Sequence, residues 1–199
     1  HKRFIAIRES ELEGLSQIPY ESYLALAHHS YAVIDVYPEK ATEYNRIAAE
    51  KTYDKGLTRK ALELYQAALN AIELGHSKIN LKTLLEFYIS YSKCLLDAQK
   101  DPQDVLDILD KANLLIDKGS LKNTELNVSW FKNELIVIKA LAYYRLRQFD
   151  DSLKEANKII SSKKASQVQQ CRAMFYYAAS LPPTDQKARQ DAHLKVIEN

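Results

Sequence analysis

The chain has 199 residues, which allows one domain or one continuous array of repeats. Its residues are 46% hydrophobic and 27% charged, a balance that excludes an intrinsically disordered chain. Because 28 basic and 26 acidic residues leave a net charge of only +2, the chain lacks the basic excess typical of nucleic-acid binding, and we expect no nucleic-acid partner.

The four glycines and five prolines are few for this length, which favours long helices over a turn-rich β fold. Apolar residues recur three or four positions apart, a spacing that predicts successive amphipathic helices. In chain order, we predict helices at residues 3–14, 20–37, 41–55, 58–74, 81–99, 102–118, 124–147, 150–162, 165–181 and 185–198.

Particular residues mark the ends of these helices. Pro38 is predicted to end the second helix and Gly75 the fourth, because proline and glycine commonly follow a helical C-terminus. Small polar side chains commonly occupy the opposite end, where they accept hydrogen bonds from free backbone N–H groups. The predicted N-terminal caps are Thr58, Asp101 before Pro102, and either Asn123 or Thr124.

Small and aromatic residues recur at fixed offsets in the second helix of several predicted pairs. Ala61, Tyr65 and Ala68 form the clearest set, and residues 140–160 read as two helices with small residues at their crossing. This pattern resembles the helical hairpin of the tetratricopeptide repeat (TPR) family. Weaker sets begin at Val105, Ser152 and Ala188, at intervals longer than the family's 34-residue period.

The resemblance implies an all-α fold, a right-handed α-solenoid of TPR-like helical hairpins with an N-terminal helical cap. The cap corresponds to residues 1–40, and about four hairpins follow at 41–75, 81–119, 124–162 and 165–198. Stacked hairpins of this family present a concave groove to other proteins. We therefore expect a protein–protein interaction scaffold, without enzymatic activity, that holds a partner peptide or helix in a Tyr-rich groove.

The family lines its groove with the first helix of each pair. Carried over to this chain, the groove positions are Arg46, Glu50, Tyr53, Phe87, Ser90, Cys94, Asp97, Glu134, Val137, Leu141, Tyr144, Gln170, Ala173, Tyr177 and Ser180. We expect Val137, Leu141 and Ala173 to be core contacts. The partner-binding residues that we select are Arg46, Glu50, Tyr53, Phe87, Asp97, Tyr144 and Tyr177. Glu50 beside Arg46 argues against the carboxylate clamp of chaperone-binding relatives, because it repels an anion.

No residue pattern indicates catalysis, a cofactor or a metal site. The glycines are isolated, and adjacent His28 and His29 point to different sides of a helix. Asp101, Asp104, Asp107 and Asp110 are expected to form a solvated helix face. Cys94 and Cys171 are expected to be reduced thiols, which favours the cytoplasm, while a disulfide in a periplasmic or secreted protein is the alternative.

Two other functions fit the same sequence. The first is a regulatory module that senses a peptide or small ligand within a larger signalling or transcription protein. The second is self-association as a homodimer, through helix 20–37 or through the end of the chain at 185–199. No apolar run is long enough for a membrane span. The chain begins at His1 without methionine, so we expect a piece of a longer or processed protein.

Overall fold

The computed structural model describes residues 1–15, 17–74, 79–117, 127–185, 187–191 and 194. Within these residues it contains helices and turns but no β-strand, so the prediction of an all-α fold is confirmed. None of the helices in this part of the chain is both long and apolar enough to cross a membrane. The helices are α1 (Lys2–Leu12), α2 (Tyr20–Tyr31), α3 (Pro38–Asp54), α4 (Thr58–Glu73), α5 (Leu81–Asp97), α6 (Pro102–Asp117), α7 (Val128–Arg145), α8 (Phe149–Ile160) and α9 (Gln167–Ser180). Residues 187–191 and 194, which belong to the helix predicted at 185–198, are also helical.

Two predicted helix ends are wrong. Helix α2 ends at Tyr31 and is followed by turns, while Pro38 begins α3 instead of ending the helix before it. Proline suits this position because the first N–H of a helix has no intrahelical partner and the ring fixes a helical φ. Thr58 is the first residue of α4 and not its cap, since Leu57 occupies the cap position without a side-chain hydrogen bond.

Four other helices are capped by polar side chains, the first being α5, where Asn80 accepts from the Thr83 N–H at 2.9 Å. The Asp101 carboxylate accepts a hydrogen bond from the Gln103 N–H at 2.9 Å, which confirms Asp101 as the cap of α6. Asn127 caps α7 by accepting from the Trp130 N–H at 3.0 Å. Ser166 and Gln169 form a reciprocal capping box at the start of α9. The other predicted end residues, Gly75, Asn123 and Thr124, lie outside the described residues.

Helices α3, α5 and α7 end with the same backbone geometry. In each case the residue two positions beyond the last helical residue has a positive φ, namely 75° at Gly56, 54° at Gln99 and 60° at Arg147. A left-handed residue just past the helix allows the chain to turn and satisfies the last carbonyl groups. Glycine adopts this conformation freely, whereas a side chain at Gln99 or Arg147 makes it less favourable.

The chain divides into two compact units, His1–Ala98 and Gln99–Asn199, and the boundary falls within the range predicted for the second hairpin. In the first unit, α3 packs against α2, α4 and α5, and α1 packs against α2. The small residues Ala61 and Ala68 of α4 are fully buried, which lets the α4 backbone approach its neighbours closely. Asn45 of α3 donates to the Ala27 carbonyl of α2 at 3.2 Å, which ties these two helices together.

In the second unit, α7 packs against α6, α8 and α9, and α8 packs against α9. The core contains the fully buried Val137, Ala140, Ala156, Ile159 and Ala173. Two buried serines link three of these helices. Ser152 of α8 donates to the Ala140 carbonyl of α7 at 2.9 Å, and Ser180 of α9 donates to the Ser152 hydroxyl at 2.9 Å.

Candidate partner-binding surfaces

In the first unit, side chains of α3 and α5 form polar contacts at the surface. The hydroxyl of half-buried Tyr53 on α3 donates a hydrogen bond to the carboxylate of exposed Asp97 on α5. Burial and the contact with Asp97 raise the pKa of Tyr53 above its ordinary value, so that its hydroxyl remains a neutral donor. On the same helix, Arg46 pairs with Glu50 at 2.8 Å, and their side chains are 21% and 34% exposed.

A cleft of about 430 Å³ lies between the first half of α3 and the start of α5. Its lining residues are Glu39, Thr42, Glu43, Arg46, Ile79, Asn80 and Thr83. Glu39 and Glu43 are exposed and lie one turn apart on α3, so both carboxylates face solvent at the cleft. Among the lining residues that the structure describes, Arg46 is the only cation, and Glu50 already neutralises it. The described part of the cleft therefore carries a negative charge.

The interior of the first unit contains a cluster of aromatic side chains on α4 and α5. Phe87 is 1% exposed and packs against Tyr65, Tyr88 and Tyr91, with ring centroids 5.9, 5.5 and 5.8 Å away. The Phe87 side chain therefore has almost no exposed area for a partner and contributes to packing in the interior. Cys94 is also buried and donates its S–H to the Thr58 carbonyl at 3.6 Å. Burial raises the pKa of this thiol to about 11.

In the second unit, the two selected tyrosines lie beside α8. Tyr144 is half-buried, and its ring centroid is 6.0 Å from that of Phe149, the first residue of α8. Tyr177 packs against the core that α7, α8 and α9 share. Both tyrosines therefore contribute to packing between helices as well as to the accessible surface.

A stripe of exposed apolar side chains runs along α9. Val168 is 68% exposed and Phe175 is 50% exposed, with partly exposed Cys171 between them. Ala173 and Ser180 on this helix are buried, and Ser180 bonds to α8. Since successive residues are about 100° apart around a helix, Phe175 lies on the side opposite Ala173 and points away from α8. We call Val168, Cys171 and Phe175 the α9 stripe.

Sequence reasoning did not find the α9 stripe. The family alignment placed the groove of this helix at Gln170, Ala173, Tyr177 and Ser180, which is the side that largely faces the core. One signal in the sequence was available, because residues 161–184 contain Lys163, Lys164 and Arg172 but no acidic residue. A partly apolar helix whose one charged residue is Arg172, and which two lysines precede, is unusual for a solvated surface.

An ion pair with a buried carboxylate joins α7 to α9 beside this stripe. Glu134 is 3% exposed, and it accepts from Arg172 at 2.6 Å and from Gln169 at 3.3 Å. Gln169 also donates to the Trp130 carbonyl at 3.1 Å, which brings the start of α7 against the start of α9. Burial alone would lower the pKa of Arg172, but the contact with Glu134 outweighs it, so the pKa lies above its ordinary value.

Comparison with protein-family models, curated proteins and solved structures gives no match for the chain. Cys94 and Cys171 are both free thiols, so the disulfide alternative is wrong for this structure. Among the residues that the structure describes, no three His, Cys, Asp or Glu side chains are grouped so that they could hold a metal ion.

Proposed function

We propose that this chain is a protein–protein interaction scaffold whose helices form a right-handed α-solenoid of TPR-like hairpins behind an N-terminal helical cap. The helices α3, α5, α7 and α9 are its first helices, and the exposed sides of α3 and α5 in the first unit and of α7 and α9 in the second bind a partner peptide or helix. Two structural features support this proposal. Helix α3 packs against α4 and α5, and α7 packs against α8 and α9, as expected when first helices neighbour both their own partner and the next first helix.

The recurring left-handed turn also supports a repeat. Gly56, Gln99 and Arg147 occupy the same position relative to the end of α3, α5 and α7, so the chain turns in the same way after three of the four proposed first helices, whereas α9 is followed by extended backbone at Leu181. The contact between Ser152 and the Ala140 carbonyl joins two residues that the repeat pattern matches to the crossing point of a hairpin. Small residues at this point allow the two helices to pack closely.

The observation that carries the binding proposal is the cleft between α3 and α5. It is concave, it is bordered by exposed carboxylates, and its lining residue Arg46 is held by an ion pair with Glu50. Side chains that are already ordered lose less conformational entropy when a partner binds. The negative charge of the cleft favours a partner segment with a basic side chain at this point.

An affinity capture with the complete 199-residue chain as bait tests this proposal. The Glu43→Lys variant reverses a charge at the cleft, and Glu63→Lys makes the same change at an exposed position of α4. We expect a partner that is retained by the parent chain and by Glu63→Lys but lost with Glu43→Lys. Equal retention by both variants would place the binding surface elsewhere, and circular dichroism of each variant establishes that it is folded.

A further inference from the structure

We propose that α9 binds an acidic amphipathic helix of a partner protein, whose apolar side covers the α9 stripe and whose carboxylates face the cations around it. This proposal rests on the scaffold function and names the partner chemistry of the second unit. The proposal is based on two features of this helix, which are its exposed apolar side chains and the positive charge of the residues around them. Exposed side chains such as Val168 at 68% and Phe175 at 50% are individually ordinary, but their alignment along one side is not.

The spacing of the stripe suits a helix as its occupant. Val168, Cys171 and Phe175 are three and four positions apart, and the separation of seven positions from first to last spans about 10 Å along α9. A partner helix with apolar residues at positions i, i+3 or i+4, and i+7 matches this length. The backbone carbonyl of Trp130 on α7 accepts from Gln169, the residue next to Val168, and the Trp130 side chain is 38% exposed.

The charges around α9 select an acidic partner. Lys163 and Lys164 are exposed just before α9, and no described residue forms an ion pair with either of them. Arg172 lies within the helix, its guanidinium is partly exposed, and its Nη1 donates to Glu134 at 2.6 Å. The Glu134 carboxylate itself is 3% exposed and presents almost no negative surface. A basic helix would meet repulsion from these cations, whereas an acidic helix would be attracted.

A second copy of this chain is the competing occupant. Helix α6 carries exposed Asp104 and Asp107 together with Leu114, which is 57% exposed, so it is itself acidic with an exposed apolar residue. Docking of α6 from one copy on α9 of another would be a head-to-tail contact, which extends into open chains unless the geometry closes a ring. Because soluble proteins avoid such open association, we assign the surface to a separate partner.

The test uses two synthetic fluorescent peptides and the complete chain. The first peptide is an amphipathic helix of about 18 residues, with leucines in an i, i+3, i+7 pattern, a few well-separated glutamates and alanines at the other positions, because glutamates at every remaining position would repel one another and disrupt the helix. The second peptide keeps the leucines and replaces every glutamate with lysine. Fluorescence anisotropy measures the affinity of each peptide. We expect the acidic peptide to bind at least tenfold more tightly than the basic one, and to bind more weakly as salt is added.

Matched variants locate the site. Phe175→Ala should weaken the acidic peptide about tenfold, while Phe149→Ala removes an aromatic ring of similar exposure, 42%, and should have little effect. Lys163→Glu/Lys164→Glu should weaken the acidic peptide about tenfold and strengthen the basic one. Arg59→Glu/Lys60→Glu makes the same charge change at exposed positions of α4 and is the control.

Several results would overturn the proposal. The proposal is wrong if the acidic peptide does not bind, or if the two peptides bind with equal affinity. It is also wrong if neither Phe175→Ala nor Lys163→Glu/Lys164→Glu changes the affinity of the acidic peptide. Sedimentation that shows association of the chain, abolished by Phe175→Ala, would assign α9 to a second copy instead. If the acidic peptide does not bind but Glu43→Lys still abolishes partner capture, the proposal for α9 is rejected and the scaffold proposal stands. If the peptide binds at α9 but Glu43→Lys does not affect partner capture, only the assignment of the first unit's cleft as a binding site is rejected.

Discussion

The ion pair between Glu134 and Arg172 gives the sharpest stability prediction, because its two ends differ in exposure. The Glu134 side chain is 3% exposed and that of Arg172 is 30% exposed. The Arg172→Met variant keeps a long apolar side chain but removes the cation that faces the buried carboxylate, which still accepts from the Gln169 amide. Removal of one member of a buried pair costs about 3–5 kcal/mol. Since water reaches the arginine, we expect a loss of about 2–4 kcal/mol in the free energy of unfolding.

Urea unfolding followed by tryptophan fluorescence measures this loss. Trp130 is the only tryptophan of the chain, and its carbonyl accepts from the same Gln169 side chain, so its fluorescence reports on the second unit. Lys132→Met is the control, because Lys132 and Asp117 form a pair at 3.1 Å with both side chains largely exposed. We expect that variant to lose less than about 0.5 kcal/mol.

A double-mutant cycle separates the pair from its surroundings. When Glu134→Leu accompanies Arg172→Met, no uncompensated charge is left, and we expect the double variant to be more stable than the sum of the single losses by at least about 1 kcal/mol. A loss below about 0.5 kcal/mol for Arg172→Met, or strictly additive effects in the cycle, would refute the reasoning that a buried carboxylate depends on this arginine.

Three further predictions follow from single residues. In urea unfolding, Gly56→Ala should lower the free energy of unfolding by about 1–2 kcal/mol, because alanine is disfavoured at a φ of 75°. Arg147→Gly, at a φ of 60°, should leave the free energy of unfolding unchanged or raise it by up to about 1 kcal/mol. If Arg147→Gly were the destabilising variant and Gly56→Ala were not, the turn assignment would be contradicted. Thiol alkylation at pH 8, followed by mass spectrometry, should label partly exposed Cys171 before Cys94. Cys94 is buried, and burial raises the pKa of its thiol to about 11, so the thiol is protonated at pH 8. Equal labelling rates would contradict the burial of Cys94. Tyr53→Phe should lower stability by about 0.5–1 kcal/mol through loss of its hydrogen bond to Asp97, and an unchanged midpoint would show that this contact contributes nothing.

The helical class and much of the helix packing follow from the sequence alone. Apolar spacing identifies helices because only one face of each can be buried, and small residues such as Ala61 and Ala68 occur where a neighbouring helix comes close. The boundaries are less predictable. Pro38 is compatible both with the end of one helix and with the start of the next, and the choice depends on the residues that follow it.

Sequence reasoning could not establish which side of each helix faces solvent. Helix α9 has apolar residues on several sides, including Val168, Ala173, Phe175 and Tyr177, so its pattern alone does not define one buried face. Contacts with α8 decide the matter, because the Ser180 hydroxyl bonds to Ser152 and fixes which side points inward. The cleft at Glu39 and Glu43 was missed for a related reason, since Glu39 precedes the residues that resemble a repeat.

The central claim is that the first helices carry the partner-binding surface, and hydrogen–deuterium exchange of the chain with and without its captured partner tests it most directly. Exchange of backbone N–H groups slows where a bound partner reduces local opening. We predict that the partner slows exchange in α3 and α5 of the first unit, or in α7 and α9 of the second, while α4 and α8 exchange at unchanged rates. Protection confined to α4 or α8 would contradict the claim.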